Sequence, residues 1–186
     1  REAEKQLNFF KEWQGDAAPL TRPQVITPLE SQHLYLVDKP NAPQSIVRLV
    51  RKGLPFDATG EQYLAQLANF NLAGNFNSRV NQNLREDKGY TYGIYSSIEN
   101  LYDSGYWYIH TDVATEVKEA ALAEIYYEIE RLQNDLVPFA ELEMVRNYTL
   151  GMLLTSVDGV FQVASVIKNM VLTDLPLSYF YEFADS

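Results

Sequence analysis

Cysteine is absent from the 186 residues, histidine occurs only twice, and Lys and Arg number 15 against 25 Asp and Glu. The missing cysteine excludes a disulfide scaffold, a cysteine nucleophile, an iron–sulfur cluster and any thiolate zinc site. A cysteine-free chain is stable in either redox setting, so the compartment is not readable. His33 and His110 lie far apart, so a hydrolytic zinc site built on two helical histidines is not encoded here. The net charge of −10 argues against a nucleic-acid partner and against adhesion to anionic lipid. No apolar run approaches the roughly 18–20 residues of a membrane span.

What is present is ordinary for a globular chain: 46% hydrophobic and 22% charged residues. The length suits one domain, or two small ones. A compact fold of this size buries roughly 70% of the surface its unfolded chain exposes, so it needs no staples. The chain opens in a helix-like stretch, REAEKQLNFFKEW, and closes in mid-pattern on LSYFYEFADS. It therefore reads as a piece of a longer protein. Residues 1–30 are expected to be the end of a preceding helix plus a proline-bearing linker, GDAAPLTRPQVITPLE. Residues 31–186 are expected to form one domain, truncated at its C-terminal end.

Hydrophobic patterning predicts strands at 33–38, 45–51, 90–98 and 105–113. Helices are expected at about 59–87, 116–134 and 139–171, with Asp57 or Thr59 capping the first, Thr115 capping the second, and bends available at Gly74, Gly151 and Gly159. Leu64, Leu67, Ala68 and Leu72 would face the core from the first helix. Val117, Ala121, Ile125, Ile129 and Leu132 would do so from the second. In the last strand Trp107, Ile109, Thr111 and Val113 share one face, and Tyr106, Tyr108, His110 and Asp112 the other. The order β-β-α-β-β-α-α implies an α+β layer, a mostly antiparallel four-stranded sheet with helices mainly on one face.

The densest local signal is LAGNFNSRVNQNLREDKGYTYG at 72–93. A helix ends in LREDK, Gly89 permits a sharp exit, and a tyrosine-rich strand begins at once. Arg85 lies in the last helical turn and Tyr92 seven residues later, just inside the strand. With the chain reversed between them, both tips can reach one spot at the sheet edge, where a cation beside a phenol can hold a carbonyl or an oxyanion. Taken singly, each residue has a plainer reading. An arginine in a last helical turn commonly serves the helix dipole, and tyrosine simply favours strands. His33 and His110 read as structural or solvent-facing. Eight acids between 116 and 143 read as a solvated outer face, with a charged chamber wall favouring basic peptides as the alternative. Tyr102, Tyr106, Trp107 and Tyr108 read as hairpin packing, or as the lining of a peptide groove.

The 72–93 segment resembles the non-zinc domains of the pitrilysin or insulinase family of zinc metallopeptidases, with processing-peptidase-type proteins among its likenesses. Those domains carry a stretch like LGG-x-x-x-SRL-x-x-x-LRE-x-KG-x-x-Y. Here it stands as LAG at 72–74, SRV at 78–80, LRE at 84–86, KG at 88–89 and Tyr92. FFKEWQG at 9–15 resembles the family's lead-in. Ala73, Val80 and Tyr90 depart from the pattern as packing changes, and Tyr90 adds a second phenol nearby.

The resemblance implies a division of labour. A partner domain, in cis or in trans, carries H-x-x-E-H and the zinc. This domain brings Arg85 and Tyr92 to grip an unfolded peptide substrate at its scissile carbonyl. No H-x-x-E-H occurs here, so no cofactor is expected in this chain, and the isolated fragment is expected to be inactive. The alternative is a non-catalytic structural or peptide-binding subunit on the same fold.

Overall fold

The computed structural model describes residues 2–12, 14–16, 31–55, 61–101, 104–176 and 178. The capping positions Asp57 and Thr59, the linker residues 17–30 and Tyr102 lie outside them.

Three antiparallel strands form the sheet: β1 (Gln44–Lys52), β2 (Ile94–Asn100) and β3 (Gly105–Ala114), in the order β1-β3-β2. β3 occupies the centre. Arg48 faces His110 across one ladder and Tyr95 faces it across the other. Gly105 stands where β1 exits, and a Cβ there would collide with the Leu54 carbonyl oxygen. Two short helical turns, α1 (Glu2–Gln6) and a 3₁₀ turn at Asn8–Glu12, open the chain. α2 (Glu61–Asn69) runs into a π-wound turn at Phe70–Gly74. After a break at 75–78, α3 (Arg79–Asn81) continues as a second π-wound segment, Gln82–Asp87. α4 (Lys118–Asn134), α5 (Phe139–Thr155) and α6 (Val160–Thr173) follow.

One face of the sheet carries the core. Ile94, Ile109 and Val113 pack against Leu72, Ala73, Val80, Leu84, Ala121 and Ile125. The period of two in β3 and the 117–132 stripe of α4 therefore read correctly from sequence. The molecule is α+β, as expected.

Four expectations need correcting. Residues 33–38 form no strand: Leu34, Tyr35, Leu36 and Val37 are all exposed, so alternation has no face to bury. A turn closed by Ala42 N–H to the Lys39 carbonyl, with Asn41 at φ +62°, separates them from β1. The strand expected from 90 begins at Ile94, because the Thr91 hydroxyl donates to the Asp112 carbonyl (2.8 Å) and occupies the next ladder position. Thr115 caps nothing. Its hydroxyl donates to the Ala42 carbonyl (3.0 Å) and α4 starts three residues later.

Finally, α2 is rotated from the face expected. Gln62, Tyr63 and Asn69 are buried while Leu64 is 67% exposed. Polar bonds turn it: Gln62 Nε2 donates to Asn100 Oδ1 (2.9 Å) and Trp107 Nε1 donates to Asn69 Oδ1 (2.8 Å). The long C-terminal helix does break, at 156–159, where α5 and α6 meet at 102°. The break falls at Gly159, while Gly151 lies within α5. Among the described residues no single helix is long and apolar enough to cross a membrane.

Candidate functional site

The Arg85 segment is held from below by its own sequence. Leu84 is fully buried, so the residue after it is carried to the rim of the core. The helix there is π-wound, a form found mostly as short segments, frequently at functional sites. Gly89, at φ +64°, makes the exit in the left-handed region that suits glycine. Tyr90 N–H then donates to the Leu84 carbonyl (2.8 Å), closing the turn.

The structure separates the two phenols that sequence left side by side. Tyr90 is half-buried and packs on the core, whereas Tyr92 is 93% exposed. Tyr92 sits in the bend before β2 rather than inside the strand. The Arg85 guanidinium lies over the Phe76 ring, 4.0 Å from its centroid. Its Nη1 is 3.5 Å from Glu86 Oε1, yet makes no hydrogen bond. No hydrogen bond or cation–π contact joins Arg85 to Tyr92 among the described residues. Neither lines the shallow cleft of about 370 Å³ beside them, which is built by their neighbours. Gly74, Asn75 and Phe76 line it on the Arg85 side. Gly93, Ile94 and Tyr95, directly after Tyr92, line it on the other.

Sequence reasoning passed over the asparagines that build this cleft. Asn81 imitates a strand: its Nδ2 donates to the Ile94 carbonyl (2.7 Å) and its Oδ1 accepts from Ile94 N–H (3.2 Å). Asn75 Nδ2 bonds the Phe70 carbonyl (2.7 Å) and so fixes the helix break. The available signal was the density of the run, with Asn69, Asn71, Asn75, Asn77, Asn81 and Asn83 inside fifteen residues. Asparagine side chains compete with backbone for its own hydrogen bonds and favour such breaks.

Three of the acids expected on an outer face belong to structural networks instead. Glu141 Oε2 accepts from Arg79 Nε (2.9 Å) and Asn71 Nδ2 (3.1 Å) and ties α5 to the helix break. Glu128 is buried and accepts from Asn83 Nδ2 (2.8 Å) and Arg131 Nη1 (2.9 Å). Glu124 accepts from Asn83 (3.0 Å) and pairs with Lys88 Nζ (3.0 Å), beside Gly89.

The Asn83 hydrogen bond, then Lys88, holds the Glu124 carboxyl below its ordinary 4.5, and the hydrogen bond to Glu124 lifts Lys88 above 10.5. The depressed carboxyl contributes stability above pH 4.5 that disappears as pH falls through its folded value. The raised ammonium contributes below pH 10.5 and loses it at higher pH. Glu124→Gln is therefore expected to melt below the parent at pH 7, with the gap narrowing as pH falls through the folded value of the Glu124 carboxyl. Equal melting temperatures at pH 7 would show that the pair does not hold the turn.

Neither histidine gathers a metal-binding set. His33 Nδ1 bonds locally to the Ser31 carbonyl (2.9 Å), and His110 contacts Arg48. Among the described residues no group of three His, Cys, Asp or Glu could hold a metal ion.

The family model described as peptidase M16 inactive domain matches residues 1–149. Among solved structures, the chain is similar to the peptidase M16 inactive domain from Pseudomonas fluorescens, at 23% identity and TM-score 0.71, over 77% of this chain and 34% of that one. It is similar to the periplasmic protease PqqL from Escherichia coli at 16% identity and TM-score 0.74, over 98% of this chain and 21% of that one. It also resembles the inactive peptidase domain of a candidate zinc protease from Bordetella parapertussis, at 17% identity and TM-score 0.65, over 76% of each chain. The chain thus spans about a third of the length of the first of these and a fifth of the second. The comparison with curated proteins gives no match.

Proposed function

We propose, from the premise that this chain belongs to the peptidase M16 family as its inactive domain, that residues 31–186 grip an unfolded peptide for a zinc-bearing partner domain, with residues 1–30 as lead-in. Arg85 and Tyr92 would donate to the carbonyl oxygen of the scissile bond, where negative charge develops. The observation that carries the reading is that both residues flank one tight turn, closed by Tyr90 N–H on the Leu84 carbonyl (2.8 Å). Arg85 Nη1 lacks a hydrogen-bond partner, and the Tyr92 side chain stands in solvent. Taking up a substrate carbonyl therefore breaks no hydrogen bond of Arg85 Nη1, only its loose 3.5 Å pair with Glu86.

Among the described residues the donor set does not fit zinc, because two separated histidines and no cysteine supply no ligand cluster. Zinc and the general base are assigned to the partner, in cis or in trans. The chain alone is expected to purify without stoichiometric zinc and to cleave no peptide. Adding it to the zinc-bearing half should raise kcat/KM. Elemental analysis finding one tightly held zinc per chain, with chelator-sensitive cleavage, would sink the assignment. So would a zinc-bearing half that works equally well without it. A second reading, a structural subunit on the same fold, is favoured by the Arg85 guanidinium already stacked on Phe76.

A further inference from the structure

The sheet face turned away from the core stays exposed, and its register is specific. Three cross-strand rows lie on it: Arg48–His110–Tyr95, Val50–Tyr108–Ser97 and Lys52–Tyr106–Glu99. In the first row the Arg48 guanidinium meets His110 Nδ1 through Nε (3.4 Å) and Nη2 (3.2 Å). One edge of the guanidinium is thereby fixed, and the fork formed by Nη1 and the second Nη2 hydrogen is left over. Such a fork matches a carboxylate in bidentate geometry. The ion pairs among the described residues all lie elsewhere, although the chain holds 25 acids. The acids on this face have other settings. Glu99 accepts from the Ser97 hydroxyl (3.0 Å), and Asp112 stands opposite Ile46.

Aromatic rings lead to that fork without a gap. Tyr106 and Tyr108 are 6.0 Å apart, Tyr108 meets Tyr95 edge-on at 6.0 Å, and Tyr95 lies 5.3 Å from His110. Burial, with Tyr95 adding, pushes the Tyr108 phenol up, so it keeps its proton. Tyr95 and Tyr106 are nearly half exposed, and Ile46 and Val50 more so. Rigid aromatic rings ending at an arginine are the side-chain types that carry binding energy at interfaces.

We propose that this sheet face binds an extended peptide segment carrying a carboxylate side chain, with Arg48 taking the carboxylate at its free fork and Tyr95, Tyr106 and Tyr108 packing along the segment. The proposal rests on the peptide-gripping reading and adds a preferred residue class. The overall charge of −10 repels such a peptide at long range. At physiological salt that repulsion is screened beyond about 8 Å, whereas the fork acts at contact.

The test is a titration of the ¹⁵N-labelled 186-residue chain with a short unstructured peptide holding two central glutamates, and with its glutamine twin. The glutamate peptide is expected to shift the amides of Arg48, Tyr95 and His110 and to bind roughly tenfold tighter than the twin. Arg48→Gln should erase that difference and leave binding of the twin unchanged. Arg48→Lys, which lacks the fork, should restore it only in part. Tyr95→Leu should weaken both peptides alike. Arg51→Gln is the control, because Arg51 registers with Trp107 on the opposite face. Unchanged amide signals in the helices show that each variant folds.

Equal binding of the two peptides overturns the proposal. So do shifts mapping away from this face, an Arg48→Gln variant that keeps the preference, or a sedimentation result in which a second copy covers the sheet. The two readings fail separately. Arg85→Ala should leave the glutamate preference intact. A lost preference with normal Arg85 and Tyr92 dependence of turnover condemns the sheet site alone. A kept preference without that dependence condemns the gripping pair.

Discussion

Tyr92→Phe is expected to lower kcat/KM for peptide cleavage by roughly 10²–10³ in the assembled enzyme, about 3–4 kcal/mol, the usual worth of one donor aimed at a developing oxyanion. Arg85→Ala should do the same. Folding and zinc occupancy should not change. Tyr92 is almost wholly exposed, and Arg85 makes one cation–π contact and one loose ion pair. Tyr92→Phe removes only a hydroxyl, so its effect isolates that donor from packing. Tyr90→Phe is the control, since its ring packs on the core and it breaks the spacing of seven from Arg85. The measurement is kcat/KM on one peptide for all three variants. A crippled Tyr90→Phe beside a parent-like Tyr92→Phe would show the register to be wrong. Three parent-like variants would favour the structural-subunit reading.

The second large effect is on stability. Leu84→Ala should cost about 3 kcal/mol, because it empties a fully buried position whose neighbours can close only in part. For a chain of this size that is a fall of roughly 6–12 °C in Tm. The loss should reach the candidate site as well. The Leu84 carbonyl holds Tyr90 N–H, and the residue after it is Arg85. Leu64→Ala, on the exposed side of α2, should stay within about 0.5 kcal/mol. Urea unfolding of both variants decides it. If the two cost the same, the core does not lie beneath the Arg85 turn.

The α4 stripe and the β3 alternation were legible because each is a periodic pattern facing a single layer. Gly89 was legible because only a sharp exit explains a glycine between a charged helix end and a strand. The face of α2 was not legible, because hydrogen bonds from Gln62 and Asn69 outweighed the leucine pattern. The start of β2 was hidden for a similar reason. A single hydroxyl, Thr91, takes a carbonyl from the neighbouring strand, and nothing in the residue's type announces that.

Residues 33–38 show the limit of strand propensity: the composition is right, but a strand also needs a ladder partner and a face to bury. The segment 72–93, with Arg85 and Tyr92 at their spacing of seven, was determined by sequence alone, since a motif is a matter of residue order. Which phenol faces the core, which acids are buried, and which arginine keeps a free fork were decided only by tertiary structure. Those outcomes depend on partners distant in the chain. Arg48 and His110 are 62 residues apart, and only the ladder sets them side by side.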